Sequence, residues 1–260
     1  QNDQLAGVLA GRRPKPAVPL AWLGEAIAIK GPTEAVFHRR SGANLLIVGQ
    51  RDEAATAMMI ASGISLAATC PPELLVVLDG TPPDTPMSGL LEESLQTLSV
   101  TVECPTYREV DATLERIAGI VRDRASRDDA ASPPVFLLIH GLQRYRNLRA
   151  SDEFGFSSSF DEQPQAPKPD RLFAEILEDG PGVGVHVIIW CDTVTNLMRT
   201  LPRQGLREFE QRVAFQMGGA DSTQLIDSPE AANIGLQRAL FFSEETGRLE
   251  KFRPYARPAD

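Results

Sequence analysis

The sequence is poor in lysine and lacks any long apolar run. Its 260 residues carry a formal net charge of −9 and only four lysines. This acidity argues against a globally basic nucleic-acid binder, although a local basic groove would still allow contact with DNA. No run approaches the roughly 18 apolar residues that a membrane-spanning helix needs, so we expect no membrane segment. The polar first residues lack the pattern of a signal peptide.

Cysteine and histidine are also scarce. The cysteines are odd in number and far apart, and the histidines have no Cys or Glu partners at metal-ligand spacing. These residues are Cys70, Cys104, Cys191, His38, His140 and His186. We therefore expect reduced thiols, a cytoplasmic protein and no metal site. His186 lies within an apolar run, which favours a core histidine that has its hydrogen-bond partner.

Apolar runs alternate with helical patterns along the chain, and 42% of its residues are hydrophobic. Continuous apolar strands between helices are typical of a mainly parallel sheet with helices on both faces. Strands are predicted at 22–30, 44–48, 74–79, 98–104, 135–139, 185–190, 212–217 and 239–242, with the one at 239–242 as the last. Helices are predicted at 53–69, 107–127 and 170–178.

The ends of the chain and one internal segment have a different composition. Residues 1–20 are rich in Arg and Pro, so we expect a linker or N-terminal arm before a domain at 21–260. Residues 150–169 are rich in Ser, Asp, Gln and Pro, which predicts a flexible insertion loop. The chain opens on Gln1 rather than Met, and we expect it to be a fragment of a longer protein.

The stretch from Asn44 to Thr56 has the layout of a phosphate-binding P-loop, whose pattern is G-x-x-x-x-G-K-[ST]. Gly49 and Thr56 match the two ends of the pattern. Ala54 and Ala55 stand where the second glycine and the lysine belong. Without that lysine, the turn lacks the charge that holds the outer phosphates of a nucleotide.

The rest of this turn is also unsuited to phosphate. Asp52 and Glu53 would repel it, and Ala54 adopts a positive φ less readily than glycine. Arg51 is the one cation in the turn and the residue that could compensate for the missing lysine. The alternative interpretation is an ordinary strand–turn–helix in which Glu53 favours the helix start.

A second catalytic position departs from the pattern of an ATPase. Hydrolysis needs an acidic residue at the end of a neighbouring strand, which helps to bind Mg²⁺ and activate water. The strand predicted at 135–139 ends instead in His140-Gly141. With both positions lost, we predict an inactive site and no catalytic residue; binding of ATP and Mg²⁺ is disfavoured.

The order of these motifs resembles the motor domain of the FtsK/SpoIIIE family, from about Asn44 to Phe242. The matching segments are 45–49, 75–79, 177–186 and 212–217, followed by the tail Ala220-Asp221-Ser222, Leu225-Ile226-Asp227, Ala231 and Gly235. The chain departs from the family at Trp190-Cys191-Asp192, where active members end the strand near Thr-Gln. The resemblance implies an α/β fold with a RecA-like P-loop NTPase core.

The resemblance also implies a functional class. Members of the family are ring or chain motors that move double-stranded DNA or, in type VII secretion, proteins, and later domains of tandem members often have degenerate nucleotide sites. The implied partners are other domains of the same longer chain and further subunits. The positions of the former nucleotide-binding set are Gly49, Arg51, Ala54, Ala55, Thr56, His140 and Asp192.

An arginine cluster follows the strand predicted at 135–139. Arg144, Arg146 and Arg149 surround Tyr145, and Arg212 lies in a later strand. Arginines beside an aromatic ring could contact nucleic acid or the phosphate bound by a neighbouring subunit. The alternative for the cluster is a solvated turn.

Three functional hypotheses follow. The leading one is a degenerate FtsK/SpoIIIE-type domain of a larger DNA or protein translocase, with an assembly, regulatory or substrate-recognition role and little or no hydrolysis. The second is an active ATP-binding DNA translocase domain that uses Arg51 or residues of a neighbouring domain. The third is an interaction module that docks a peptide in the vacated nucleotide cleft.

Overall fold

The computed structural model describes residues 18–127, 131–150 and 167–256. The linker predicted at 1–20 lies outside the described residues except for 18–20. The insertion loop predicted at 150–169 lies outside them across 151–166. Within the described part of the chain, no helix is both long and apolar enough to cross a bilayer.

The core of the fold is a sheet of ten strands among the described residues, in the order β2-β1-β10-β9-β8-β3-β7-β6-β4-β5. The strands are β1 (Leu20–Ala26), β2 (Thr33–Val36), β3 (Leu45–Val48), β4 (Leu74–Asp79), β5 (Val102–Glu103), β6 (Val135–His140), β7 (Val185–Cys191), β8 (Gln211–Ala214), β9 (Ala239–Ser243) and β10 (Arg248–Pro254). The helices are α1 (Asp52–Thr69), α2 (Leu90–Gln96), α3 (Val110–Ser126), α4 (Pro169–Asp179), α5 (Val194–Leu197) and α6 (Gly219–Ile226).

The sheet is mainly parallel, as predicted, with an antiparallel extension. Strands β3 to β8 pair in parallel, whereas β1, β2, β9 and β10 join by antiparallel pairing. The prediction that 239–242 is the last strand is wrong, because β10 follows and pairs with β9. Sequence periodicity missed β10 because most of its side chains are only partly buried.

Two further boundaries differ from the predicted ones. The strand predicted at 22–30 ends at Ala26, and the apolar Ile27 and Ile29 beyond it are exposed. The strand predicted at 98–104 is reduced to Val102–Glu103 at the edge of the sheet. Ile27 and Ile29 lie on the surface, whereas Leu98, Val102 and Cys104 pack against the core although only Val102 and Glu103 pair with β4.

Apolar side chains cover both faces of the parallel strands. In β3, Leu46 and Val48 enter the core beneath α3 and α4, whereas Leu45 and Ile47 enter the core beneath α1 and α2. All four side chains are fully buried. Burial of one such side chain contributes about 1.5–3 kcal/mol to the free energy of unfolding. This continuous apolar run therefore stabilises the packing of the helices on both faces of the sheet.

Asn44 ties the start of β3 to two neighbouring segments. Its amide nitrogen donates to the carbonyl oxygens of Leu177 (3.1 Å) and Glu208 (2.8 Å). Its amide oxygen accepts the backbone N–H of Val187 at 2.8 Å. The side chain is fully buried, and these bonds satisfy its polar atoms.

His186 is a core residue of β7, in agreement with the sequence. It is 1% exposed, and its Nδ1 lies 2.8 Å from the carbonyl oxygen of Ala43. Burial is the main cause that lowers the pKa of His186 to about 4. The ring is therefore neutral at neutral pH and donates its Nδ1 hydrogen to that carbonyl.

We expect acid to destabilise the fold through His186. Below the unfolded-state pKa of about 6.5 the unfolded chain binds a proton that the native ring does not, so stability falls as the pH drops from 7 to 5, by about 2 kcal/mol from this residue. Urea unfolding at both pH values measures the loss. His186→Gln should reduce the pH dependence, and the control His38→Gln should keep it. Equal pH dependence in the two variants would contradict this assignment.

Candidate functional site

The turn between β3 and α1 consists of three residues, 49–51. Gly49 has a φ of +137°, and a Cβ placed there would lie 2.6 Å from the Cβ of Phe215. Its N–H donates to the carbonyl oxygen of Cys191, and its own carbonyl accepts the indole N–H of Trp190, both at 3.0 Å. The turn is therefore held closely against β7 and β8, and only glycine fits at its start.

Because the turn is short, the residues that match the end of the P-loop pattern lie in a helix rather than in a loop. The helix begins at Asp52, so Ala54, Ala55 and Thr56 lie in its first turns. The N–H of Ala55 donates to the carbonyl oxygen of Arg51 at 2.9 Å. An N–H that closes a helical turn is not free to bind a phosphate oxygen.

The first turn of α1 already carries its own anions. Asp52 and Glu53 are exposed there, where carboxylates interact favourably with the positive end of the helix dipole. Ala55 and Thr56, by contrast, are fully buried. A lysine at position 55 would therefore direct its amine into the core beneath α1 rather than to a ligand.

The hydroxyl of Thr56 meets the ring of His140, the residue at the end of β6. Thr56 Oγ1 lies 3.0 Å from His140 Nε2 and 2.9 Å from the carbonyl oxygen of Asp52. The Thr56 hydroxyl has one proton and lies within hydrogen-bond distance of both the Asp52 carbonyl and the His140 ring. The two positions that would bind Mg²⁺ in an ATPase are thus bonded to each other.

The other side of the His140 ring faces the end of β4. Its Nδ1 lies 3.2 Å from Thr81 Oγ1 and 3.5 Å from Asp79 Oδ1. The backbone N–H of Thr81 donates to the same Asp79 oxygen at 2.9 Å. Gly80 allows this approach, because a Cβ there would lie 2.5 Å from the carbonyl oxygen of His140. We call Thr56, His140, Thr81 and Asp79 the edge network.

The environment of His140 keeps the ring neutral. It is 2% exposed and packs on Trp190, with the ring centroids 4.6 Å apart. Burial lowers its pKa, and the charge of Arg144 lowers it further, against the opposing effect of Asp79 and Asp52. The Thr81 hydroxyl donates to Asp79 Oδ1 at 2.5 Å and its oxygen can accept from Nδ1. A neutral ring that donates from Nδ1 accepts at Nε2 from the Thr56 hydroxyl.

Thr81 and Trp190 complete this arrangement, but sequence reasoning gave neither a role at the site. The available signal for Thr81 was the Asp79-Gly80-Thr81 turn, since an Asp often bonds the backbone two residues on. Trp190 was noted only as a departure from the family pattern. Its contacts with Gly49 and His140 depend on β7 lying between β3 and β6.

Asp192 lies outside the edge network. Both of its carboxylate oxygens accept from the Asn196 amide, at 2.9 and 3.1 Å, and Thr193 Oγ1 donates to it at 3.2 Å. These contacts are local to the start of α5. The structure brings Thr56 and His140 together but gives Asp192 a different set of partners.

The arginines of the predicted contact set divide into two groups. Arg144 and Arg146 are exposed and Arg149 is half-buried, beside the stacked rings of Tyr107 and Tyr145. Their predicted contact with nucleic acid or a neighbouring subunit, or their place in a solvated turn, stays a prediction.

Arg212 is placed differently and needs a correction. It is 6% exposed, and its guanidinium donates to the carbonyl oxygens of Phe209, Leu225 and Leu206 at 2.8–3.2 Å. It also forms a 2.8 Å ion pair with Glu244. A guanidinium bound in this way is not available to a nucleic acid or a neighbouring subunit, so Arg212 does not belong to the predicted contact set.

A small pocket lies beside the start of α1. Its volume is about 240 Å³, and Arg51 and Ala54 line it together with Phe215, Arg253 and Tyr255. Two members of the predicted nucleotide-binding set, Arg51 and Ala54, therefore face this pocket, whereas Ala55, Thr56 and His140 are buried away from solvent.

Known proteins resemble the chain in structure. No family model and no curated protein matches the sequence. The cytoplasmic domain of the Thermomonospora curvata type VII secretion ATPase EccC matches with a TM-score of 0.62 at 16% identity, over 95% of this chain and 30% of that chain. The pCW3 conjugation coupling protein TcpA, solved with ATPγS, matches with a TM-score of 0.66 at 9% identity, over 92% and 66%.

A third match is EssC, ATPases 2 and 3, from Geobacillus thermodenitrificans, with a TM-score of 0.61 at 13% identity over 95% of this chain and 47% of that one. This chain has the fold of these ATPase domains. The fold predicted from the FtsK/SpoIIIE resemblance is therefore confirmed. The chain spans 30% of EccC and 47% of EssC, so it corresponds to a part of those longer proteins.

Because of the edge network, we expect two similar threonine substitutions to differ in how much they lower the free energy of unfolding. Thr56→Val should lower the free energy of unfolding by about 1–3 kcal/mol, because it leaves a buried His140 nitrogen without a partner. Thr223→Val is the matched control: that hydroxyl also lies within hydrogen-bond distance of the carbonyl four residues back, at 2.9 Å, but is exposed. Urea denaturation measures both. Equal losses would mean that the Thr56–His140 bond contributes nothing.

Proposed function

We propose that this chain is a degenerate FtsK/SpoIIIE-type ATPase domain of a larger translocase, with little or no ATP hydrolysis of its own. The observation that carries the proposal is the contact between Thr56 Oγ1 and His140 Nε2 at 3.0 Å. In an active P-loop ATPase a hydroxyl and an acid at these positions act on Mg²⁺ and water. Here a hydroxyl and a neutral ring satisfy each other.

The backbone supports the same proposal. Phosphate binding at a P-loop depends on free N–H groups at a helix N-terminus. The three-residue turn and the early start of α1 leave no extended loop to supply them. Asp52 and Glu53 add negative charge where the phosphates of ATP would lie.

The role that we assign is structural or regulatory, as a domain that contacts other domains. Each of the EccC and EssC chains is longer than this one, which supports a place among further domains of one chain. A ring or chain oligomer is what the FtsK/SpoIIIE resemblance implies. We further infer a cytoplasmic location, since the EccC match is itself a cytoplasmic domain. The translocated substrate, double-stranded DNA or protein, is left open by the site.

Nucleotide binding and turnover test the proposal directly. In calorimetry we expect no binding heat from Mg·ATP at concentrations up to about 1 mM. A dissociation constant above that concentration corresponds to a binding free energy weaker than roughly 4 kcal/mol. ATPase activity should not differ between the unmodified chain and Thr56→Ala. Turnover that Thr56→Ala abolishes would overturn the proposal. DNA-stimulated hydrolysis lost in Arg51→Ala would favour the active-translocase hypothesis instead.

A lysine placed at the P-loop position, Ala55→Lys, should not make the chain bind Mg·ATP. Ala55→Lys is expected to destabilise the chain by roughly 2–4 kcal/mol, because it buries an unpaired charge in a filled core. Ala54→Lys is the matched control on the half-buried neighbouring position, and it should cost less than about 1 kcal/mol. Thermal or urea unfolding measures both. A stable Ala55→Lys variant that binds Mg·ATP would contradict the assignment.

The small pocket beside Arg51 is the remaining support for a ligand at this edge. Its volume of about 240 Å³ is below the usual range for drug-sized ligands, about 300–1,000 Å³. Docking of a peptide between β3 and β6 is disfavoured, because Thr56 and His140 are buried. The third hypothesis therefore has less support than the first.

A further inference from the structure

A larger groove lies between α4 and the segment 200–208. Its volume is about 760 Å³. Apolar, acidic and basic side chains line it together. The lining includes Phe173, Ala174, Leu201, Glu178, Thr200 and Glu208. We call this feature the α4 groove.

The acidic end of the α4 groove lies far from the edge network. Helix α4 ends at Asp179, shortly before β7 begins at Val185, so this end is at the amino edge of the parallel strands. Asn44, which precedes β3, bonds the carbonyl oxygens of both Leu177 and Glu208 at this edge. His140 is at the carboxyl edge, so the α4 groove is separate from the former nucleotide site.

Negative charge is concentrated at this end. Glu178 and Asp179 close α4, whose last turn contains no basic residue, and the helix dipole adds partial negative charge there. Burial raises the pKa of Glu208, and the neighbouring charges of Glu178 and Asp179 raise it further. Glu178 and Glu208 therefore share one end of the groove with a helix C-terminus, and the charge of Asp179 acts on Glu208 from nearby.

Two polar atoms in the wall of the groove have no hydrogen-bond partner among the described residues. They are Oε2 of Glu208 and the hydroxyl oxygen of Thr200. Thr200 is only 4% exposed. Buried polar groups are nearly always paired, so two unpaired ones in one groove indicate a missing partner that can donate hydrogen bonds.

The remaining walls suit an apolar side chain. Phe173 and Leu201 are 2% and 4% exposed, and Ala174, which also lines the groove, is exposed to solvent. Arg171 also lines the groove, but it lies seven residues before Glu178, about 10 Å away along the helix. Arg207, which precedes Glu208 in the sequence, also lines the groove and is exposed. The groove is thus acidic at one end and apolar in its middle.

We propose that the α4 groove binds a segment of a partner protein that carries an arginine or lysine and an apolar residue three or four positions apart. The basic side chain lies between Glu178 and Glu208, where it donates to the unpaired carboxylate oxygen and faces the end of α4. The apolar side chain packs against Phe173 and Leu201. Charge complementarity selects this class of partner over an acidic segment.

A pair of labelled peptides tests the proposal with the full chain. The probe is an eight-residue alanine peptide with one leucine and one arginine three residues apart, and its match has glutamate in place of the arginine. We expect fluorescence anisotropy to show at least tenfold tighter binding of the arginine peptide. Raising the salt concentration should weaken that binding, because the contact is between charges.

Substitutions locate the binding on the protein. Glu208→Gln and Glu178→Gln should each weaken binding of the arginine peptide at least fivefold, and the exposed Ala174→Trp should block it by filling the opening. Glu230→Gln, an exposed carboxylate on the segment Pro229–Asn233, is the matched control and should not change binding. Circular dichroism of each variant checks that it folds.

Three outcomes would overturn the proposal. The first is equal binding of the arginine and glutamate peptides. The second is binding that survives both Glu208→Gln and Ala174→Trp in folded protein. The third is self-association of the chain that Ala174→Trp abolishes, which would make the groove an interface between copies. None of these results depends on whether the chain binds or hydrolyses ATP, so failure here is distinguishable from failure of the proposed function.

Discussion

The hydrogen bond between Thr56 and His140 links the first helix to the centre of the sheet at its carboxyl edge. Trp190 packs on the His140 ring and also bonds the carbonyl of Gly49, so the start of α1 and the ends of β3, β6 and β7 form one unit. Thr81 and Asp79 extend it to β4. Because the ring is buried and neutral, loss of either hydroxyl partner would leave a polar atom unsatisfied in the core.

The same unit accounts for the chemistry that we propose is absent. A P-loop ATPase needs an open loop at the end of its first strand, since backbone N–H groups must face the phosphates. Here Gly49 packs closely against Phe215 and the helix starts three residues later. Packed residues therefore occupy the space that such a loop would need. Ala55 and His140, which stand at the lysine and acid positions of the P-loop pattern, both belong to this packed arrangement.

The two edges of the parallel strands consequently differ in character. The carboxyl edge is filled by its own side chains, and the pocket left beside Arg51 is small. The larger α4 groove has its acidic end at the amino edge, and two polar atoms in its wall have no hydrogen-bond partner among the described residues. A partner segment bound in the α4 groove, as we propose, would lie away from the edge network.

The sequence by itself determined the parallel core of the sheet and the loss of the P-loop lysine. Runs such as Leu45–Val48 show burial on both faces directly, and the motif order predicted the fold. Tertiary structure alone decided that Thr56 meets His140, 84 residues away, that Arg212 turns inward to Glu244, and that β10 completes the sheet. Local periodicity reports how one element is buried, whereas these contacts depend on which strands are neighbours, and that order is set by packing of the whole chain.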